Sequence, residues 1–174
     1  ERVLYQNFQE LGVPTHTAEE LAFADSLAGT YSGSDRAPGV GSQYDLDYAA
    51  DAQARRAQAG HAMNRFLLPL YQGDAFQPGS TDVGDVSWQC PTAQIHVAAW
   101  PNGCPGHSWQ NVSCGRTDIG HKAALHAGKV LAAAAIDLLT DPALLEEAKT
   151  EFQRRTAAGY TCPIPADAVP TIAD

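Results

Sequence analysis

Basic residues are scarce in this sequence of 174 residues. It contains 11 Lys and Arg against 20 Asp and Glu, which gives a formal net charge of -9 at pH 7. Such a chain repels phosphate backbones and anionic lipid unless its basic residues form a patch. The close basic pairs, Arg55-Arg56 and Arg154-Arg155, lie in helix-like segments of mixed charge, so we interpret them as solvated faces. The composition therefore excludes nucleic acid as a partner.

Long apolar runs and paired cysteines are also missing. No window approaches the ~18 to 20 apolar residues of a membrane span, and Glu1-Arg2-Val3 opens a helical pattern rather than a signal peptide. The cysteines lack a Cys-x-x-Cys pair, which fits reduced thiols better than a disulfide framework: Cys90, Cys104, Cys114 and Cys162. These absences predict a soluble, cytoplasmic protein with no membrane partner.

Signatures of nucleophilic catalysis are absent as well. The sequence has no Gly-x-Ser-x-Gly elbow, no Cys/His signature and no phosphate-binding glycine-rich loop. The hydrophobic content of 44% is nevertheless high enough for one domain with a real core. We therefore expect a folded domain whose chemistry, if any, depends on other groups.

The first half of the sequence predicts helices around an insertion. An apolar face at Val3, Leu4, Phe8 and Leu11 stops at Gly12, and a capping box at Thr17 and Glu20 begins a second helix that reaches Gly29. We interpret residues 29–72 as a loop-helix insertion. Its helix runs from Tyr48 to about Tyr71, and Pro69 bends or ends it.

The second half predicts two strands and then two helices. Val83, Val86 and Trp88 fit a short strand, and residues 93–100 alternate with period two. A small-residue stripe then predicts a long helix packed closely on a sheet: His121, Leu125, Gly128, Ala132, Ala135 and Leu139. Asp141 and Pro142 begin a last helix, and a proline-rich tail with Pro163, Pro165 and Pro170 follows on the surface.

This inventory predicts an incomplete α/β domain. Two strands form a marginal sheet, yet at least four amphipathic helices need a surface to cover. We therefore expect the sheet to be completed by residues outside this chain, and the missing initiator Met fits a fragment or half of a composite domain. The alternative is a mostly helical, self-sufficient domain with a small hairpin.

His107 is the strongest candidate functional residue. It lies in the Gly/Pro-rich loop Cys104-Pro105-Gly106-His107-Ser108-Trp109, after the second strand and before the long helix, where α/β folds hold many ligands. A surface or capping histidine is the structural alternative. Asp82 and Asp85 could orient a metal-bound imidazole by accepting a hydrogen bond from its other ring nitrogen. The structural alternative is that they form a turn.

Two further interpretations of the histidines and cysteines stay open. Cys90, Cys104, His107 and Cys114 are compatible with a structural zinc, although their spacing fits no common zinc pattern; inert buried thiols are the alternative. His121 is either a satisfied core histidine or a residue facing a site at the sheet edge. Its spacing of five from His126 is unlike a zinc-binding pair, which is four apart.

Several long runs resemble a known family. They are Gly79 to Trp88, Gly103 to Trp109 with His107-Ser108-Trp109, Ala124 to Val130, and Asp137 to Pro142. Together they resemble the C-terminal part of the aminobenzoyl-glutamate-type amidohydrolases, within the aminoacylase/glutamate-carboxypeptidase family of dinuclear metallopeptidases. The match covers about Gly79 to Pro165. The segment Glu1 to Leu27 resembles the helical return into the catalytic domain, and Tyr31 to Tyr71 matches loosely.

The resemblance implies an amidohydrolase. It implies a catalytic domain holding two divalent ions, manganese or zinc, that hydrolyses an amide bond beside a glutamate carboxylate, as in p-aminobenzoyl-glutamate or a similar N-acyl amino acid. It also implies a homodimer or heterodimer when complete. His107 matches the last metal ligand of the family, and Asp82, Asp85, Ser108 and His121 become candidates for the surroundings of the metals or the substrate pocket.

The resemblance also implies what this chain lacks. The earlier ligands, the bridging carboxylate and the glutamate that acts as general base belong to N-terminal segments of the family. Glu19-Glu20 and Glu146-Glu147 lie on helical segments of mixed charge and do not replace them. We therefore expect the chain alone to be inactive. The rival hypothesis is a non-catalytic, truncated relative that serves as an interaction or structural domain.

Overall fold

The part of the chain that a computed structural model describes, residues 1–35, 46–70 and 81–169, is helical. It contains no strand, so the prediction of an α/β domain with helices on a small sheet is wrong. The described helices are α1 (Arg2–Leu11), α2 (Ala18–Ala28), α3 (Leu46–Ala59), α4 (Val83–Ser87), α5 (Trp109–Gly115), α6 (Asp118–Thr140) and α7 (Pro142–Arg155).

Each predicted strand fails for its own reason. Val83 and Val86 are three residues apart, which is also helical spacing, and they lie on α4. Within residues 93–100 the alternation does reflect burial, because Ile95 and Val97 pack against the apolar core. A strand requires a hydrogen-bonded partner in addition to one buried side, and the described residues supply none.

The chain divides into two compact units. The first consists of Glu1–Gly79 and Ala93–Thr140, and the second of Ser80–Thr92 and Asp141–Asp174. The core of the first unit has two clusters. Leu4 and Phe8 of α1 pack with Val130 and Ala134 of α6, and a second cluster joins α2 to the start of α6 through Leu21, Ala24, Met63 and Ile119.

The local signals at helix ends are confirmed. Thr17 accepts a hydrogen bond from the backbone N–H of Glu20, whose carboxylate accepts one from the N–H of Thr17 at 2.8 Å. Gly12 follows α1 with φ 73°, a conformation that favours glycine. In the second unit, Asp141 accepts a hydrogen bond from the N–H of Ala143 at 2.9 Å, with Pro142 as the first helical residue.

The predicted helix from Tyr48 to Tyr71 is too long. Helix α3 ends at Ala59, because Gly60 takes φ 72° and turns the chain. Met63 is fully buried in the segment that follows, so its apolar character marks a core position rather than a continuing helix. Tyr71 and residues 36–45 of the predicted insertion lie outside the described residues.

Helix α6 buries the face opposite to the one predicted. The buried residues are Ile119, Ala123, His126, Val130 and Ala134. The small-residue stripe from His121 to Leu139 is exposed instead. With apolar residues on both sides, the sequence alone does not distinguish which face packs inward.

Helix α6 also corrects the expectation that no segment approaches a membrane span. Among the helices of the described residues, α6 is the one that is long enough and apolar enough to cross a bilayer, judged by length and composition alone. Core helices of soluble proteins meet the same criteria. It packs one face on α1, and Asp137 near its end accepts a hydrogen bond from the amide of Asn7 at 2.5 Å.

The second unit is small and held by polar and aromatic contacts. The Tyr160 hydroxyl donates to the carboxylate of Asp85, and its ring stacks on Trp88 with centroids 5.4 Å apart. Among the described residues of α7, none is buried. Residues 157–169 are exposed, as predicted for the tail, and Pro170 lies outside the described residues.

Candidate functional site

His107 lies in an exposed loop of the first unit, directly before α5. It has φ 55°, and among the described residues it is the non-glycine residue with positive φ. Histidine tolerates this left-handed conformation better than most residues, yet the conformation still has an energetic cost. The surrounding loop must therefore hold His107 in place, which presents its imidazole to solvent.

Ser108 fixes the loop on the other side of His107. Its side chain accepts a hydrogen bond from the N–H of Asn111 at 3.2 Å, which caps α5, and its hydroxyl donates to the carbonyl oxygen of Pro105 at 2.6 Å. The bond from Ser108 to Pro105 spans His107, and the bond from Asn111 ends at Ser108, the next residue after His107. Ser108 is thus a structural support for the loop, a role that the sequence spacing before a short helix could have predicted.

Asn102 anchors the start of the loop to two other segments. Its backbone N–H donates to the carbonyl oxygen of Ala62 at 2.8 Å, and its side-chain amide donates to Ser34 at 3.1 Å. The Tyr31 hydroxyl donates to the carbonyl oxygen of Asn102 at 2.9 Å. Because Asn102 is 7% exposed, these bonds form in a largely dry environment where an unpaired partner would be costly.

The loop packs tightly against residues that follow α2. Gly103 has φ 69°, and a β-carbon there would overlap the carbonyl of Gly33. On the first turn of α5, buried Gln110 donates from its side-chain amide to the hydroxyl of Thr30 at 3.3 Å. The segment 30–34 therefore braces the loop at both ends. No spacing rule in the sequence indicated this contact.

The thiols and the tyrosine near the loop have little nucleophilic character. Burial raises the pKa of Cys114 to about 11 and also raises the pKa of Cys104. Burial likewise raises the pKa of Tyr31 to about 12. Because these pKa values are raised, all three groups are protonated at neutral pH. A nucleophilic thiol, in contrast, needs a depressed pKa. This supports the inert-thiol interpretation for Cys104 and Cys114, whereas Cys90 is exposed and not a buried thiol.

Each of the other predicted site residues has its own local environment. Asp82 and Asp85 belong to the second unit, where Asp82 precedes α4 without capping it and Asp85 accepts the Tyr160 hydroxyl. His121 is exposed on the first turns of α6 and lies 3.6 Å from the carboxylate of Asp118. It is thus a solvent-facing histidine, and not a satisfied core residue.

Sequence reasoning missed a histidine–carboxylate pair in the first unit. The Nδ1 atom of His61 and a carboxylate oxygen of Asp25 are 2.7 Å apart, and the other oxygen accepts the N–H of Ala62 at 2.7 Å. Burial alone would raise the pKa of Asp25, but these two hydrogen bonds, together with the charges of His61 and Arg56, lower the pKa. The partners are 36 residues apart in sequence, so no local pattern reveals them.

The described residues do not form a metal site by themselves. They contain no group of three or more His, Cys, Asp or Glu side chains placed to hold an ion. The structural-zinc interpretation of Cys90, Cys104, His107 and Cys114 therefore has no support in the described part of the chain. Two open surface pockets occur in the described part of the chain, and the larger of these two, of about 470 Å³, is lined by residues of α1 and by Arg55 of α3.

Comparison with known proteins gives one informative similarity. The chain is 36% identical over 178 aligned positions to a subunit of p-aminobenzoyl-glutamate hydrolase from Escherichia coli (strain K12), and the match covers 98% of this chain. The chain spans 36% of the length of that protein. No family model and no solved structure matches the chain. The resemblance of the sequence runs to an aminobenzoyl-glutamate hydrolase is thus confirmed, and it extends to the segment from Tyr31 to Tyr71 that matched loosely.

Proposed function

We propose that this chain is part of a metal-dependent amidohydrolase that cleaves an amide bond to glutamate, with a substrate such as p-aminobenzoyl-glutamate. The observation that carries this proposal is the 36% identity over 98% of the chain to a subunit whose name states that hydrolysis. Because the chain spans 36% of that relative, the activity is proposed for a larger assembly of which this chain is one part.

His107 is the proposed metal ligand of this chain. Its imidazole is exposed, and the hydrogen bonds of Ser108 and Asn102 hold its loop on both sides. A loop fixed in this way presents a ligand in a defined orientation, which metal sites require. Zinc or manganese, when bound in a pair, would polarise the amide carbonyl and lower the pKa of a water molecule.

The remaining ligands and the general base are proposed to lie outside the chain. The described residues contain no group of three or more His, Cys, Asp or Glu side chains that could hold an ion. Glu20 is engaged in the capping box of α2 and pairs with Lys122 at 2.8 Å, while Glu146 pairs with Lys149 at 2.7 Å on α7. These carboxylates serve the helices, so we expect the chain alone to be inactive.

His121 is proposed to lie at the substrate pocket. Its side chain is 64% exposed and it stands on the first turns of α6, which packs against α5. An imidazole in this position can donate a hydrogen bond to a substrate carboxylate once the pocket is complete. Asp82 and Asp85 keep their proposed role of supporting the metals or the substrate pocket.

The proposed partners are the small N-acyl amino-acid substrate and the remaining part of the catalytic domain. A homodimer or heterodimer is the proposed state of the complete enzyme, since the relative is a named subunit. A net charge of -9 argues against nucleic acid or anionic membranes as partners. We propose a cytoplasmic location on the sequence evidence of unpaired cysteines.

The rival proposal is a non-catalytic relative that serves as an interaction or structural domain. It is favoured by the lack of a complete site among the described residues. The coding sequence upstream of Glu1 distinguishes the two proposals. A histidine-x-aspartate motif followed by a pair of glutamates there supports the enzyme, whereas a start codon directly before Glu1 supports the non-catalytic relative.

Turnover tests the proposed function. The protein from the complete reading frame is incubated with p-aminobenzoyl-glutamate and divalent metal, and the release of glutamate is followed. We expect release by the complete protein and none by residues 1–174 alone. The absence of release from the metal-loaded complete protein, with this substrate and with other N-acyl glutamates, would contradict the assignment.

A further inference from the structure

Helix α6 exposes a long apolar face. Four of its large side chains are 49% to 84% exposed: Leu125, Leu131, Ile136 and Leu139. Between them lie the exposed small residues Ala124, Gly128, Ala132 and Ala135. From Ala124 to Leu139, Lys129 is the exposed residue that carries a charge. This set of nine residues is called the α6 outer face below.

The outer face makes α6 apolar on all sides. Ile119 and Val130 on its inner face are fully buried against α2 and α1. A helix that is apolar all round is normally surrounded, either in the core of a larger protein or in a membrane. Here the inner side is covered and the outer side is open, so half of the expected environment of α6 is missing.

Helix α5 also exposes large apolar side chains, and these lie near His107 in sequence. Helix α5 packs on α6 and exposes Trp109 by 61% and Val112 by 71%. Trp109 is two residues from His107 in sequence. Whatever covers α5 therefore comes close to the proposed metal ligand.

We infer that the outer face is covered by the part of the longer polypeptide that this chain does not contain. This inference rests on the proposed function, in which polypeptide outside the chain must reach His107 to complete the metal site. The relative is longer than this chain by almost two-thirds of its own length, because the chain spans 36% of it. One covering segment can thus bury the apolar surface and bring the missing ligands.

A second copy of the chain fits the outer face less well. Sixteen helical residues give a face about 24 Å long and roughly 10 Å wide, or about 240 Å². A stable interface between separate proteins buries about 800 Å² on each side. Two chains with a charge of -9 also repel each other, and the same charge opposes anionic lipid. The size of the face suits a contact inside one domain.

Side-chain footprinting of the complete protein tests this inference. Carbene labelling is measured on the protein from the complete reading frame and is normalised to the same protein in urea. Leu139 and Val169 provide a matched comparison, since their side chains are 84% and 81% exposed in this chain and Val169 belongs to the second unit. We expect labelling of Leu139 and Ile136 to fall at least fivefold below the urea value at all protein concentrations.

Three results would overturn the inference. Leu139 labelling that stays near the urea value means that no segment covers the face. Protection that appears only as protein concentration rises identifies a second copy. Protection that needs vesicles of phosphatidylcholine and phosphatidylglycerol identifies a bilayer.

Three variants keep this test separate from the proposed function. Leu139→Asp should lower the soluble yield of the complete protein at least threefold, whereas Val169→Asp should not. His107→Ala should leave the labelling pattern of the outer face unchanged whatever it does to metal content. An unprotected outer face together with normal metal binding would show that the inference about α6 has failed. A protected outer face together with no metal binding would show that the proposed function has failed.

Discussion

Gly103 and Gly33 approach each other so closely that a β-carbon on Gly103 would overlap the Gly33 carbonyl. This contact joins the loop before α5 to the segment after α2, four residues from His107 in sequence. Gly103 also has φ 69°, which disfavours any side chain. Gly103 thus allows the close approach to Gly33 and also adopts the positive φ. The position of the proposed ligand His107 depends on both.

Replacing Gly103 with alanine should destabilise the protein strongly. We expect Gly103→Ala to lower the free energy of unfolding by about 3 kcal/mol, from the overlap and the strained φ together. Gly60→Ala is the matched control, because Gly60 has φ 72° but no atom within 4 Å of a β-carbon, and should cost about 1 kcal/mol. Urea unfolding followed by circular dichroism measures both. Equal losses would show that the contact with Gly33 is unimportant.

The backbone of His107 should be strained. Glycine adopts φ 55° freely, so His107→Gly should be more stable than His107→Ala by about 0.5 to 1 kcal/mol, after allowance for the greater freedom of glycine in the unfolded chain. The same urea titration measures the difference. If alanine proves equal or better, the loop does not impose the left-handed conformation.

Tyr31 should make stability sensitive to alkaline pH. Its pKa rises from 10 to about 12 on burial, so the folded state favours the protonated phenol. That contribution is complete below pH 10 and is lost as pH rises from 10 to 12. Tyr31→Phe should cost about 1 kcal/mol at pH 7 through the lost bond to Asn102. The difference between wild type and variant should shrink above pH 10; a constant difference would contradict the account.

Lys122 should stabilise the junction of α2 and α6 in a pH-dependent way. Its hydrogen bond lowers the pKa of Glu20, so the contribution is present above the ordinary Glu pKa and is lost as pH falls below it. Lys122→Met should cost about 1 kcal/mol at pH 7, and this cost should decrease as pH falls below the ordinary Glu pKa. Lys149→Met, which breaks the exposed pair with Glu146 on α7, should cost close to zero. Similar losses of stability for Lys122→Met and Lys149→Met would contradict the expected difference between the two ion pairs.

The sequence predicted local features better than packing. The capping box at Thr17, the stop at Gly12 and the start of α7 at Asp141 all depend on residues within a few positions, and each is confirmed. The predicted strand at Val83 and Val86 was wrong, because spacing of three residues fits a helix as well. Period-based reasoning cannot separate these alternatives in so short a segment.

Long-range contacts could not be predicted from the sequence. The inner and outer faces of α6 are both apolar, so periodicity alone gave the wrong buried side. His107 was located through its motif, while the groups that hold its loop, such as Tyr31 and Ala62, are more than 40 residues away in sequence. The bonds from Asp25 to His61 and Ala62 likewise join separate segments. Such partners can be identified from the three-dimensional structure but not from the spacing of residues in the sequence.

The metal content of the complete protein tests the central claim most directly. Protein from the complete reading frame is loaded with manganese or zinc, dialysed and analysed for bound metal. We predict about two divalent ions per chain in the wild type and the loss of one or both in His107→Ala, with full retention in His96→Ala, which removes another exposed histidine. Unchanged metal content in His107→Ala would contradict the assignment of His107 as a ligand.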